Sequence, residues 1–397
     1  MSSQRLCGLF QRFRNCVLAG TVVLLALVAC HRPARPDGRT YGGAADDFGY
    51  SVQPTSDGGY VIAGATASSG AGDKDAYLIK TDAQGNLQWS KTCGGPGDDE
   101  GNSVQQMSDG GYVVAGVTNS FGAGNFDAYL IRTNAAGDTL WTRTFGGTGE
   151  DRANSVLVLA DGFAIAGATF IYGPQVYDAW LIRTDTAGHE LWSRTYGGTN
   201  DDKFNSLCAS PDGGFVLAGF TASYGAGNYD LHLVKTDATG DTLWTRTFGG
   251  ALSDQGWSVV PTLDGGYVAA GYAISFGSGN PQVYLVKVTA SGESLWTRTY
   301  GTGGWAMSVA PASDSGCIVA GTSAVGGAYV YVVRVGPSGD TLWTRTFGGT
   351  NDNKGYSVRP TQDGGWIVAG TTKSYGAGGY DVYLLKTDDQ GTSEFKE

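Results

Sequence analysis

Carboxylates recur at one place in every part of this 397-residue chain except one. They stand at Asp46 and Asp47, Asp98 and Asp99, Glu150 and Asp151, Asp201 and Asp202, Asp254, and Asp352. Clustered carboxylates offer the oxygen ligands that a hard cation such as Ca²⁺ takes. The spacing is not that of an EF-hand loop. The competing expectation is that each Asp serves its local turn by accepting from backbone N–H groups.

A second constellation is Trp-x-Arg-x-aromatic, at Trp141, Arg143 and Phe145, and again from Trp192, Trp244, Trp296 and Trp343. Alternation puts the three side chains on one face of a strand, where a guanidinium can lie among rings. A stacked cofactor is conceivable there, but recurrence along the chain favours packing between repeats. Other catalytic chemistry is thinly represented. The three histidines are His31, His189 and His232, and none has a Cys or carboxylate partner at metal-ligand spacing. No Gly-x-Ser-x-Gly elbow occurs.

These residues are carried by a repeat. A phrase of Asp-Gly-Gly-aromatic, a short apolar run and Ala-Gly recurs in variants, closing at Gly64, Gly116, Gly167, Gly219, Gly271, Gly321 and Gly370. The intervals are 52, 51, 52, 52, 50 and 49 residues. A fixed period near fifty marks a repeat architecture. Each unit reads as four short strands separated by Gly- and Asp-bearing turns, and no helical periodicity occurs after residue 40. The expected fold is all-β, a seven-bladed β-propeller with four antiparallel strands per blade and no helical domain.

Proline orders the strands. Pro54, Pro261, Pro311 and Pro360 each stand three residues after a first-strand Ser. Proline cannot donate to a ladder and is confined mostly to edges, so the first strand is expected innermost, lining the channel. The chain enters mid-phrase at residues 39–43 and leaves at residues 394–396, with Phe395 at the Trp position. Both termini are therefore expected to complete the last blade. A linear β-solenoid is the rival, though its repeats are usually shorter.

On the phrases Asp-Gly-Gly-aromatic-Val-x-Ala-Gly and Gly-Asp-Thr-Leu-Trp-Thr-Arg-Thr-Phe-Gly-Gly, residues 39–397 resemble the bacterial β-propeller-repeat family found in many cell-envelope proteins. Gly-Asp-Thr-Leu-Trp is also similar to the tryptophan-docking repeat of quinone-cofactor propellers. The resemblance implies the fold; propellers host unrelated activities.

Residues 1–29 carry three arginines and then an apolar stretch from Val17 to Ala29, too short to span a bilayer. The stretch ends Leu-Val-Ala before Cys30, which resembles a lipoprotein signal whose Cys becomes lipidated. Residues 30–38 are then a lipidated Cys and a short Pro-stiffened tether, and residues 39–397 the propeller. Removal of the segment takes three of the 26 bases, leaves all 37 acids, and sets the net charge at −14. That balance argues against nucleic acid, leaving the lipid as the only membrane contact. The expected location is an exported, membrane-anchored one, at the outer membrane in a Gram-negative host. Of the six cysteines, Cys93, Cys208 and Cys317 fall in different repeats and imply no disulfide framework.

Loop lengths single out repeat six. The step from the fourth-strand aromatic to the next Ser is ten residues, but eight from Tyr300 to Ser308; that from the Ala-Gly glycine to the third-strand aromatic position is thirteen, but ten from Gly321 to Tyr331. Both loops should open on the acid-bearing face and leave a notch floored by Trp305. Phe276 and Tyr375 would wall it, with Tyr224 at the equivalent place and Val325 in repeat six itself. Such a rim suits a sugar or a cationic peptide. The leading functional expectation is a non-enzymatic module binding a protein or polysaccharide at the cell envelope. The alternative is an enzyme at the channel mouth, a quinone-dependent dehydrogenase or a glycan-active hydrolase. Eight repeats and an adjacent Cys pair, usual in the quinoproteins, are missing here, and no carboxylate pair is distinguished as a glycosidase requires.

Overall fold

The computed structural model describes residues 37–171, 175–277, 279–301, 303–323 and 327–395. Cys30, the signal segment, most of the tether and Val325 lie outside the described residues. The 28 strands form seven four-stranded antiparallel sheets. In the first, Asp47–Pro54, Tyr60–Thr66, Asp75–Thr81 and Leu87–Cys93 follow one another from the axis outward. The first strands of neighbouring sheets touch around the whole ring, so they are the innermost, as their prolines indicated.

Local chemistry accounts for each blade. The first hairpin turns at Gly58, whose φ of 83° places it where a Cβ is disfavoured. The Ala-Gly glycine has another reason. Every first strand carries a bulge one residue before its Ser, between Gly49 and Ser51 in blade one. The bulge pushes the backbone carbonyl of Phe48 onto Gly64, and the equivalent carbonyls onto Gly116, Gly167, Gly219, Gly271, Gly321 and Gly370. A Cβ at any of these seven would collide with backbone.

The cores lie between blades. One joins Val61, Ala63 and Leu78 to Val104, Tyr112, Val114 and Tyr129 of the next blade, and six others repeat the pattern. Polar links reinforce them. The Ser51 Oγ accepts the backbone N–H of Val104 in the following blade at 3.2 Å, and Ser103, Ser206, Ser258, Ser308 and Ser357 do likewise. On the outside, the Trp rings sit under the hairpin glycine of the next blade, Trp192 beneath Gly240 and Trp244 beneath Gly292. Arg194 and Arg246 lie over those same Trp rings. The Trp-x-Arg-x-aromatic phrase is thus a blade-to-blade fastening.

The last blade is closed by both ends of the described chain. Arg39–Tyr41 pairs with Asp381–Thr387, Tyr41 opposite Val382 and Arg39 opposite Leu384. Ser393 bridges to Thr387, which brings buried Phe395 into a core with Tyr41, Val52 and Leu384. One outer strand is made in two pieces, and the ring has no open sheet edge at the join.

Candidate functional site

The acid-bearing loops do converge on one face, but their carboxylates are engaged. Asp47, Asp99, Asp151, Asp202 and Asp254 are fully buried at the start of the first strands. Each accepts the N–H of the Gly four residues earlier, as Asp47 does from Gly43 at 2.7 Å. Ser68, Ser120, Ser223 and Ser275 donate to four of them from the loop before the third strand. Of the exposed partners, Asp46 accepts the Tyr380 N–H, Asp201 the Tyr177 N–H and Asp352 the Tyr380 hydroxyl, tying one blade's loop to the next. One carboxylate oxygen each of Asp98, Asp99 and Asp202 is buried with no partner among the described residues. No three His, Cys, Asp or Glu side chains converge as a metal site would require, among the described residues.

A second set of acids went unnoticed in the sequence. Asp75, Asp127, Asp178, Asp230 and Asp381 begin third strands, and each faces a first-strand Asp of the adjoining blade: a Cβ on Gly94 would meet both Asp75 and Asp99, and one on Gly249 both Asp230 and Asp254. Burial, then the neighbouring Asp47, pushes Asp381 up to about 6. Burial likewise raises Asp127, Asp178 and Asp230. Where repeat six abuts its neighbours the pairs are replaced, by Gln282 with Gly304 and by Tyr329 with Asn353.

The Asp of the Asp-Gly-Gly turn also does more than bond its own backbone. In each blade it pairs with a base near the end of the third strand, buried in all but the last: Asp57 with Lys80, Asp109 with Arg132, Asp161 with Arg183, Asp212 with Lys235, Asp264 with Lys287, Asp314 with Arg334 and Asp363 with Lys386. The signal was present, since a base precedes the residue ending every third strand.

The aromatic residues expected to rim a notch are partly used within their own blades. Phe276 leans on Tyr284 with ring centres 5.4 Å apart, Tyr375 on Tyr383, and Tyr224 on His232 while its hydroxyl donates to the Gly197 carbonyl. Phe276 and Tyr224 remain substantially exposed. Trp305 is half-buried in the first strand of blade six, two residues before Met307.

The channel itself holds the concentration of side chains that no repeat rule explains. The bulge turns the residue before each first-strand Ser into the axis: Tyr50, Asn102, Asn154, Asn205, Trp257, Met307 and Tyr356. With Arg152 they line a cavity of about 360 Å³. The ring is divided. Blades two to four supply three carboxamides, each donating to the next blade's backbone, to Ala153, Phe204 and Gly256. One N–H of each amide and the oxygens of Asn102 and Asn154 face no other strong partner among the described residues. Blades five to one supply rings and a thioether; Tyr50 and Tyr356 meet edge to face at 5.4 Å. The indole N–H of Trp257 is buried and unpartnered among the described residues. Burial holds both tyrosines in the neutral phenol form by raising them, Tyr356 to about 12. Beside the Arg152 guanidinium, which pairs with Glu150, the cavity offers neutral donors, neutral acceptors and flat apolar faces.

Acid–base chemistry is poorly supplied by the histidines. Burial lowers His232 to about 4, and His189 bonds Asp185 within an exposed hairpin. Cys208 and Cys317 are pushed up to about 12 by burial, so both are neutral thiols.

No family model matches this chain. It is 27% identical over 241 residues to the regulatory protein FlaEY of Caulobacter vibrioides, a match covering 53% of this chain and 25% of that protein. The matched region thus spans about a quarter of the relative. Among solved structures it is similar to Sqt1 of Chaetomium thermophilum, with a TM-score of 0.51 and 13% identity over 90% of this chain and 86% of that one. It is equally similar in shape to the Pan2 WD40 domain of Neurospora crassa, with a TM-score of 0.51 and 12% identity over 91% and 94% of the two chains. A further Sqt1 structure, with a TM-score of 0.51 and 13% identity over 90% and 89%, is bound to the N-terminus of ribosomal protein L10. At these identities the likeness is one of fold alone: the chain is a seven-bladed β-propeller.

Proposed function

We propose that this chain is a non-enzymatic binding module, held at the cell envelope through a lipid on Cys30, which takes a protein or polysaccharide at the channel mouth. One observation carries this reading. Seven near-identical repeats keep Ser51, Val52 and their equivalents almost unchanged, yet the bulged residue between them and the ring axis is Tyr, Asn, Asn, Asn, Trp, Met and Tyr in turn. A position exempt from the repeat and gathered at one cavity is where a rigid scaffold carries specificity. The match to a regulatory protein is compatible with a binding role, and the Sqt1 complex is a case of a propeller holding another protein's terminus.

Anchoring rests on the charged start, the short apolar segment and Leu-Val-Ala before Cys30. Trp305 belongs to the same face, so a notch over blade six would extend this mouth, with Phe276, Tyr375 and Tyr224 as outlying contacts.

A thermal-shift screen of the chain against envelope glycans and peptides tests the proposal, because a ligand of the folded state raises the melting temperature by mass action. Trp257→Ala with Asn154→Ala should abolish the shift given by any hit, and Trp305→Ala with Tyr375→Ala should weaken it. Retention of the full shift by the channel pair would refute the channel mouth as the site. Retention of membrane attachment by Cys30→Ser would refute the anchor.

A further inference from the structure

Further along the first strands from the mouth, the channel holds a second ring, made by the residue two positions after each first-strand Ser. Going round, it reads Gln53, Gln105, Leu157, Cys208, Val260, Ala310 and Arg359, around a cavity of about 320 Å³. Blades seven, one and two give a polar arc of Arg359, Gln53 and Gln105. Blades three to six give an apolar arc of Leu157, Cys208, Val260 and Ala310, in which half-buried Leu157 and Val260 present most of the surface while Cys208 and Ala310 are buried into the cores between blades.

Arg359 is the anomaly. Each of the seven bases near the ends of the third strands has a carboxylate partner, with Lys235 and Asp212 2.7 Å apart and Lys287 and Asp264 2.6 Å apart. Arg359 has none among the described residues. Its guanidinium donates only to neutral oxygens, the Val358 carbonyl at 2.8 Å and the Ser308 hydroxyl at 3.4 Å. Burial pulls it below its ordinary value, the cost of holding a cation where no anion answers it. Within a protein of net charge −11, this one channel position keeps a positive charge unneutralised.

We infer that the lower channel is a binding site for a small amphiphilic carboxylate, an acyl chain whose carboxylate meets Arg359 and Gln53 while the chain lies on Leu157, Cys208, Val260 and Ala310. A carboxylate matches the two-pronged guanidinium and supplies the missing charge. One cation calls for one negative charge, which disfavours a phosphate dianion near so acidic a surface. The apolar arc gives a chain somewhere to go, and the Cys208 thiol, neutral in its buried setting, keeps that arc unbroken. Val104, Val156, Val259 and Val309 also line this cavity, and no residue lines both it and the one at the mouth.

Calorimetry on the purified full chain tests this with octanoate below its micelle concentration, against acetate, 1-octanol and inorganic phosphate. Octanoate should bind saturably and raise the melting temperature; the other three should bind at least about tenfold more weakly. Arg359→Leu should weaken octanoate at least about tenfold while melting no lower than the parent, because the uncompensated charge is gone. Val260→Trp, which fills the apolar arc and keeps Arg359, should also abolish binding. Unchanged octanoate affinity in Arg359→Leu overturns the inference, as does acetate or phosphate binding as tightly as octanoate, or no octanoate binding at all. Should Arg359→Leu fail to fold, Arg359→Lys decides the question instead: the charge without the fork should bind octanoate measurably more weakly, and equal affinity overturns the assignment. A peptide ending in a free Leu that binds tenfold tighter than octanoate would replace the acyl ligand with a polypeptide terminus.

Discussion

The first strands show two surfaces to their surroundings, and the two obey different rules. Toward the neighbouring blade they present Val52, Val104, Val156, Leu207, Val259, Val309 and Val358, all buried and nearly identical, each flanked by a Ser. Toward the axis they present Tyr50, Asn102, Asn154, Asn205, Trp257, Met307 and Tyr356, then Gln53, Gln105, Leu157, Val260 and Arg359, with Cys208 and Ala310 sunk further into the cores between blades. The same backbone carries both. Close packing fixes volume and shape at the interface, where one methylene is felt. The channel is open, so its side chains are released from that constraint and can differ blade by blade. Repetition therefore marks what holds the ring together, and its failure marks what the ring displays.

Substitutions that cross this division should separate most widely at the bulge. Gly219→Ala drives a Cβ into the Lys203 carbonyl and should cost about 3 kcal/mol or more in urea unfolding. Gln53→Ala, on the channel side of a first strand, should stay within about 0.5 kcal/mol. Equal losses would dissolve the distinction between frame and lining.

The ring's closure is the next most sensitive frame contact. Phe395→Ala should cost about 3 kcal/mol, the usual range for emptying a buried aromatic site. It should also speed amide exchange at Val382 and Leu384 beyond that of the equivalent third strands elsewhere. A uniform rise in every blade would mean that the join is no weaker than the rest.

The smallest effect sharpens the frame itself. Asp381, raised to about 6 by burial and then by Asp47, is held more protonated in the fold than in the unfolded chain. Its contribution is therefore favourable at low pH and is lost as pH rises through about 6. Asp212 and Asp264 behave oppositely: Lys235 and Lys287 hold them down to about 2, so their stabilisation is present above about 4 and is lost as pH falls toward 2. The melting temperature should thus rise by about 2 °C from pH 7.5 to pH 5 and fall below pH 4. Asp381→Asn should start higher at pH 7.5 and lose most of the rise. The fold already tolerates an amide in the facing ring, because Asn353 stands where five of the other blades have Asp. A flat profile in the parent protein would remove the paired carboxylates from the account.

Much of the frame was legible in the chain. The period of Gly64 and its six successors gave the blade count, Pro54 and its equivalents gave the inner strand, and Phe395 at a Trp position gave the closure. The partner of each turn Asp, such as Lys287 for Asp264, was not read, because a pair 23 residues apart meets only when the second and third strands fold back on each other. The third-strand acids escaped for a related reason: Asp230 and Asp254 belong to different blades and become neighbours only when sheets stack.

The channel was the least legible part, although its residues lie beside the most regular ones. Alternation along a strand assigns faces two residues at a time, and the bulge before Ser51 breaks that count. The period, the turn residues and the half-phrases at residues 39–43 and 394–396 pointed to a closed array of seven like sheets, since each unit must bury both faces against its neighbours. Only the tertiary structure decided which side chains meet at the axis. Tyr50 and Trp257 are more than two hundred residues apart and share one cavity because the ring closes. Among the described residues Arg359 stands without a carboxylate for the same reason, its neighbours being chosen by the circle and not by the chain.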